Sequence, residues 1–264
     1  MTRPASNLKI SGLQFRRGNR VVLDGIDLHL QSGAVTAVLG PNGAGKSTLL
    51  SCIAGLLRPE RGSVELDGTS LQSLAAMQRA RRIAFLPQTP EIAWSIDVQT
   101  LVGLGRIPFH GLSSDDEDRA AVARAMSRTE VAQWADRTVT TLSGGERARV
   151  LLARVLAGES DWILADEPFT GLDPSHQFEA AELLRSMADQ GGGVVLTIHA
   201  LTLAARIADR VIIIDAGRIV ADGTPQQALT PQILRDVYNI DAQWLDGANG
   251  TPPTIAIHGR ATRS

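Results

Sequence analysis

Val35-Thr36-Ala37-Val38-Leu39, a short and mostly apolar run, opens directly onto Gly40-Pro41-Asn42-Gly43-Ala44-Gly45-Lys46-Ser47-Thr48. Such a run reads as a buried parallel strand, and the segment after the loop, from about Lys46 to Leu57, reads as a helix. The loop between them fits the spacing G-x-x-x-x-G-K-[ST] in the strand–loop–helix setting that spacing requires. Glycines let the backbone curl so that its N–H groups converge on phosphate oxygens, and the helix aims its positive N-terminus at the same anion. Lys46 is placed to reach the β- and γ-phosphates, Ser47 to offer its hydroxyl to Mg²⁺, and Thr48 to add a phosphate contact. An ordinary Gly-rich turn needs neither the lysine nor the hydroxyl. The chain carries 26 Lys+Arg, of which only Lys9 and Lys46 are lysine. A lysine kept at this position, in a chain that otherwise uses arginine, suggests a place where a compact ammonium fits and a planar guanidinium does not.

Working outward, the residues before this loop read as strands. Leu8–Leu13 and Val21–Leu23 flank a turn at Arg17-Gly18-Asn19, and Ile26–Leu30 alternates apolar and polar residues. Ile83–Leu86 is a further buried run ending at Pro87-Gln88. From about residue 90 strand signals stop and helical ones take over. Ser114–Glu117 and Ser143–Glu146 both have capping-box spacing, the second opening a helix that stops at Gly158. Strands return at Trp162–Ala165, Val194–Ile198 and Val211–Ile214. Alternating β and α elements with buried strands imply an α/β fold, a mostly parallel sheet covered on both faces, interrupted by a helical insert. The last residues, Gly247 to Ser264, are rich in Gly, Pro and Thr and read as a loosely held tail.

Composition narrows the function classes. The 264 residues suffice for a large core. A net charge of −2 gives no basic field for nucleic acid. No run of about 18 apolar residues is present, so the expectation is a chain that does not span a membrane. Met1–Leu8 lacks the apolar core of a signal peptide. Cys52 is the only cysteine, which rules out an intrachain disulfide and suits a reducing compartment.

Three further stretches carry candidate chemistry. Trp162-Ile163-Leu164-Ala165-Asp166-Glu167 delivers two carboxylates at the C-terminal end of a strand, the edge where open α/β sheets bind ligands. Asp166 is suited to hold Mg²⁺, mostly through its water, and Glu167 to accept a proton from an attacking water. His199 and Gln88 also follow strands; a lone histidine there is commonly structural, but both belong to the same expected edge. An uncharged amide at Gln88 can touch Mg²⁺ or the water without competing for the proton. Leu142-Ser143-Gly144-Gly145-Glu146 is either a capped helix start or a second anion site made from a hydroxyl, glycine N–H groups and a helix dipole. The phosphate loop already has its own helix, so a second anion site suggests a γ-phosphate held by another copy of the chain.

The order Gly40–Thr48, Gln88, Leu142–Glu146, Asp166-Glu167, Gly171-Leu172-Asp173 and His199 resembles the ATP-binding subunits of ABC transporters over about residues 6–245. Gly105-Arg106-Ile107-Pro108, Asp222–Pro225 and Val237-Tyr238 look like the importer group for iron-siderophore, haem and cobalamin uptake. That resemblance implies a P-loop NTPase with an N-terminal antiparallel β subdomain. It implies a nucleotide-binding core at 6–88 and 159–245, a helical subdomain at 89–158, and a tail at 246–264. It also implies ATP hydrolysis with Mg²⁺ held by Ser47, Gln88 and Asp166, and catalysis by Glu167, His199, Gln88 and Lys46. The working unit would be a head-to-tail homodimer in which Ser143, Gly144, Gly145 and Glu146 complete the partner's site and Asp173 sits at the seam. Permease subunits in the membrane and, indirectly, a periplasmic or surface substrate-binding protein would be its partners, with the chain peripheral on the cytoplasmic face. Residues Thr89–Gly111, Trp94 and Phe109 among them, are candidates for the wall of the permease groove or equally for subdomain packing.

The chain departs from the family at three positions. Arg17 stands where an aromatic usually stacks on adenine; its guanidinium plane can stack instead, or Phe15 can swing in. Phe169 and Ala148 replace a usual threonine and glutamine. The alternatives to an importer are an exporter subunit, which shares every catalytic motif, and a non-transport ATPase of the same superfamily.

Overall fold

The computed structural model describes residues 5–88, 95–246 and 253–261. Strands β1 (Asn7–Arg17) and β2 (Arg20–Gln31) form a hairpin and, with β4 (Arg61–Leu66) and β5 (Thr69–Ser70), an antiparallel sheet in the order β2-β1-β4-β5. The stretches Val21–Leu23 and Ile26–Leu30 belong to one strand, bent at Gly25. The expected N-terminal antiparallel sheet is therefore present.

The main sheet has six strands in the order β10-β9-β3-β8-β7-β6. These are β3 (Val35–Leu39), β6 (Ile83–Leu86), β7 (Trp162–Asp166), β8 (Gly193–Thr197), β9 (Arg210–Asp215) and β10 (Arg218–Gly223). All neighbours pair in parallel except β10, an antiparallel edge strand. Every residue of β3, β7 and β8 is buried, which is why these strands read as unbroken apolar runs. The strand face bearing Val35, Ala37 and Leu39 joins one core cluster and Val38 joins the other, so a core lies on each side of the sheet.

Helix α1 (Lys46–Ile53) follows the phosphate-loop spacing. It is shorter than the expected reach to Leu57, because Gly55 turns left-handed with φ of 70° and ends the helix. Next come α2 (Ala76–Arg82) and, in the helical stretch, α3 (Val98–Gly103), a 3₁₀ turn (Leu104–Phe109), α4 (Asp115–Arg128) and α5 (Gly144–Ala157). Both expected capping boxes form, at Ser114/Glu117 and Ser143/Glu146. Arg106 ties the 3₁₀ turn down: it is buried, pairs with Asp118 at 2.7 Å and Glu159 at 3.2 Å, donates to the Ala157 carbonyl, and stacks over Phe109 at 4.0 Å. The chain closes with α6 (Pro174–Asp189), α7 (Leu201–Ile207), α8 (Pro225–Ala228), α9 (Pro231–Tyr238), β11 (Ile240–Leu245) and β12 (Thr254–Arg260). Among the described residues no helix is long and apolar enough to cross a membrane.

The expectation of a loose tail over 246–264 is corrected for its described part. β12 pairs antiparallel with β11 from Leu245↔Thr254 to Ile240↔Arg260 and packs on α7. The reason is packing: Ile255 lies 3 % exposed in the same core cluster as Ala242, and its burial outweighs the Gly, Pro and Thr around it.

Candidate functional site

The sheet order decides which loops meet. β3, β8, β7 and β6 are consecutive neighbours, and their C-terminal ends lead into Gly40, His199, Glu167 and Gln88 respectively. A cleft of about 650 Å³ lies at this edge, lined by Lys46, Ser47, Thr48, Gln88, Glu167 and His199, with Asn42, Gly43 and Gly45 of the loop and Arg17, Arg20 and Val22 of the hairpin.

The loop has the shape its glycines permit. Gly40 sits at φ of 147° with the position of a Cβ 2.1 Å from the Ile214 carbonyl oxygen, and Gly45 at 108° with that position 2.8 Å from the Val22 oxygen. Neither tolerates a side chain. Ala44 is buried and Pro41 turns the chain. Lys46 is 5 % exposed and donates from Nζ to the carbonyls of Gly40 at 2.7 Å and Pro41 at 3.0 Å. Burial lowers its pKa, opposed by the nearby Glu167 and Asp166 charges.

The carboxylates are held by neighbours from three strands. Asp166 is buried, and its Oδ1 accepts from Thr197 Oγ1 at 2.6 Å and Ser47 Oγ at 3.1 Å. Thr197 is the register partner of Asp166 across the parallel β7–β8 pair, which puts the two side chains on one face. The same Thr197 Oγ1 accepts from the Glu167 backbone N–H at 2.8 Å. Glu167 itself has a φ of 51°, a left-handed conformation that costs a non-glycine residue on the order of 1 kcal/mol. Its Oε2 accepts from Gln88 Nε2 at 2.7 Å and Thr170 Oγ1 at 3.2 Å, and its Oε1 lies 2.6 Å from His199 Nε2. Both amide and imidazole thus fix the orientation of one carboxylate. Sequence reading missed Thr197 and Thr170. A hydroxyl inside the apolar run Val194–Ile198 was the available signal, since a buried polar group needs a partner.

Ser143–Glu146 and Asp173 lie elsewhere. Ser143 caps α5, its N–H donating to Glu146 at 2.7 Å, a contact that lowers the Glu146 pKa. The Cβ position of Gly145 is 3.6 Å from Leu172, so the capped turn sits beside the Gly171–Asp173 loop and outside the cleft of its own chain. Asp173 caps α6, accepting from the His176 N–H, His176 Nδ1 and Ser175, which hold its pKa at about 2.

Arg17 lines the cleft with Arg20, and no aromatic residue lines it among the described residues. Phe15 does not swing in: it packs against the core between the antiparallel sheet and α1. Phe169 is a core residue at 5 % exposure, and Ala148 packs against the same cluster. Of the suggested permease-groove residues, Phe109 stacks under Arg106, and Trp94 lies outside the described residues. Tyr238, the last residue of α9, lies close to the Gly40 backbone, and burial raises its pKa.

The donor set suits Mg²⁺. Ser47 and Asp166 offer hard oxygens 3.1 Å apart, and the amide oxygen of Gln88 takes no hydrogen bond among the described residues. No cluster of three His, Cys, Asp or Glu exists among the described residues.

Comparison with known proteins gives concordant findings. The family model described as ABC transporter matches residues 23–170. A hemin import ATP-binding protein of Pseudomonas entomophila is 44 % identical over 239 residues, covering 89 % of this chain and 93 % of that protein. A chain from an ABC transporter described as metal-chelate type, in an inward-facing conformation, superposes with a TM-score of 0.81 at 27 % identity, covering 96 % of this chain and 97 % of that one. A dimeric ATP-binding cassette in a post-hydrolysis state with ADP and phosphate bound gives 0.76 at 26 % identity, covering 83 % and 99 %.

Proposed function

The chain belongs to the ABC transporter family as an ATP-hydrolysing subunit, and from that premise we propose that it energises an importer of a haem-class metal chelate. The observation that carries the hydrolytic part is Glu167, held by Gln88 and His199 at the edge of the phosphate-loop cleft.

The roles follow from position. The loop N–H groups and the start of α1 hold the phosphates, and Lys46 Nζ leaves its loop carbonyls for the γ-phosphate oxygens. Ser47, Asp166 and Gln88 would hold Mg²⁺, which neutralises phosphate charge when bound. Glu167 accepts the proton of the attacking water. His199 and Gln88 hold its carboxylate toward that water, and Thr197 holds both Asp166 and the Glu167 backbone. Arg17 stacks its guanidinium on the base.

The capped turn at Ser143–Glu146 lies outside its own cleft, which favours a head-to-tail homodimer in which it completes the partner's site, with Asp173 at the seam. In this reading residues 6–88 and 159–245 are the nucleotide core and 89–158 the helical subdomain. A groove of about 380 Å³ between them, walled by Ala84, Phe85, Leu104, Pro108 and Val155, receives a cytoplasmic helix of the permease. The chain then works on the cytoplasmic face of the membrane, and an external substrate-binding protein acts through the permease. The name of the Pseudomonas relative supports hemin as cargo.

The test is to copurify this chain with its permease and binding protein, reconstitute them, and measure ATPase stimulation by hemin, cobalamin and a ferric siderophore. Stimulation by hemin-loaded binding protein is expected. Stimulation by cobalamin alone would overturn the cargo, and ATPase activity that never associates with a permease would overturn the transport reading.

A further inference from the structure

The groove between the two regions has a chemical signature of its own. Arg154 on α5 lines it, half-buried, and no hydrogen bond or ion pair reaches its guanidinium among the described residues. The contrast with Arg106 on the adjoining turn is sharp. That guanidinium is met by two carboxylates, a carbonyl and an aromatic ring. The groove's other arginine, Arg79, directs Nη1 to the carbonyls of Leu71 and Leu74. Among the described residues no Asp or Glu lines the groove. Desolvation lowers the Arg154 pKa and no carboxylate opposes it.

The surroundings argue that something covers this charge. Gly105 lets the 3₁₀ turn approach α5 so closely that a Cβ there would stand 2.1 Å from the Arg154 carbonyl oxygen, which builds one wall against the helix that carries the arginine. The groove and the elements that wall it carry exposed apolar side chains: Leu56 at 61 %, Met77 of α2 at 52 % and Ile107 of the turn at 49 %. An apolar rim around a single unpaired cation suits the apolar face of a helix that carries one acidic side chain. A half-buried guanidinium is costly alone and is stabilised by a bidentate carboxylate.

We propose that Arg154 is the recognition residue of this groove, and that the permease segment docking there presents an Asp or Glu carboxylate to it. This rests on the reading of the groove as the permease dock. Arg154 takes no part in the nucleotide cleft, so its role is in partner choice.

The experiment uses the full chain and its permease in nanodiscs. Wild-type chain binds permease nanodiscs with an affinity that falls as salt rises. Arg154→Gln weakens binding about tenfold or more and flattens the salt dependence. Arg154→Glu weakens it further, Arg154→Lys, which keeps the charge but loses the bidentate fork, falls between wild type and Arg154→Gln, and ATP affinity of the isolated chain is unchanged in all three. Because a substitution on α5 can disturb folding, the partner is varied too. Each carboxylate in the permease's cytoplasmic loops is neutralised in turn against wild-type chain, and one of these reproduces the loss. Wild-type affinity in Arg154→Gln, or no effect from any permease carboxylate, overturns the proposal and leaves the transport reading standing. Wild-type chain that ignores permease nanodiscs overturns both. Binding to phosphatidylglycerol nanodiscs without permease that depends on Arg154 replaces the protein carboxylate with a lipid phosphate and overturns the proposal.

Discussion

Replacing Thr197 by valine keeps the shape of a fully buried side chain and removes one oxygen. That oxygen makes two contacts, donating to Asp166 at 2.6 Å and accepting from the Glu167 N–H at 2.8 Å. The first is a hydrogen bond to a buried carboxylate, worth about 1.5–3 kcal/mol, and the loss of the second leaves a backbone donor unpaired. Asp166 keeps Ser47 at 3.1 Å, which offsets part of the loss. The sum is about 2–4 kcal/mol, or roughly 4–16 °C in Tm for a chain of this size. Turnover falls by a separate route. The Glu167 backbone is held at φ of 51° against its own preference, and Thr197 is the hydroxyl that holds its N–H. Released, the carboxylate leaves Gln88 and His199, and a displacement of about 1 Å costs on the order of a hundredfold in rate. Differential scanning fluorimetry and phosphate release at saturating ATP read the two effects, with Thr197→Ser as the control that keeps the hydroxyl and most of the activity. A Thr197→Val protein that melts within 1 °C of wild type and turns over normally would refute the claim that register-paired Thr197 organises the two carboxylates.

Three further substitutions separate binding, chemistry and folding. Glu167→Gln preserves the hydrogen bond with Gln88 in geometry but cannot take a proton, so ATP affinity stays within about threefold while kcat drops about 10²–10⁴-fold; wild-type turnover removes Glu167 from the role of base. Lys46→Arg keeps the charge but puts a planar fork into a site where Lys46 is 5 % exposed and its Nζ sits between two carbonyls; ATP affinity measured by calorimetry falls more than about tenfold, and tight binding defeats the argument from lysine scarcity. Asp173→Ala loses the cap of α6. The Asp173 pKa is depressed from 3.8 to about 2, so its contribution to stability is present above about 4 and disappears as pH falls toward 2. The variant therefore melts below wild type near neutral pH, the two curves converge on acidification, and a constant gap down to pH 2 counts against the capping assignment.

Much of this site is written locally in the sequence, and the remainder is written in the pairing of distant strands. The glycines of Gly40–Lys46 and the capping boxes at Ser114 and Ser143 act within a few residues of themselves, so they form as read. The convergence of Lys46, Gln88, Glu167 and His199 was legible once four apolar strands were seen to end in polar residues, because parallel strands share one C-terminal edge. Thr197 was not legible as a functional residue, since it sits in an apolar run and its partner Asp166 is on another strand; only the β7–β8 register brings them opposite each other. The same holds for Tyr238 at the Gly40 backbone and for β12, whose pairing with β11 spans a segment that composition alone marks as loop. Motifs therefore specify which groups are present, whereas strand register specifies which carboxylate oxygens are occupied. Asp166 Oδ1 is taken by Thr197 and Ser47, while Oδ2 accepts no hydrogen bond among the described residues. Register thus leaves this oxygen unpartnered, and a one-residue slip of β8 would exchange Thr197 for Leu196 or Ile198 and leave the acid with Ser47 alone.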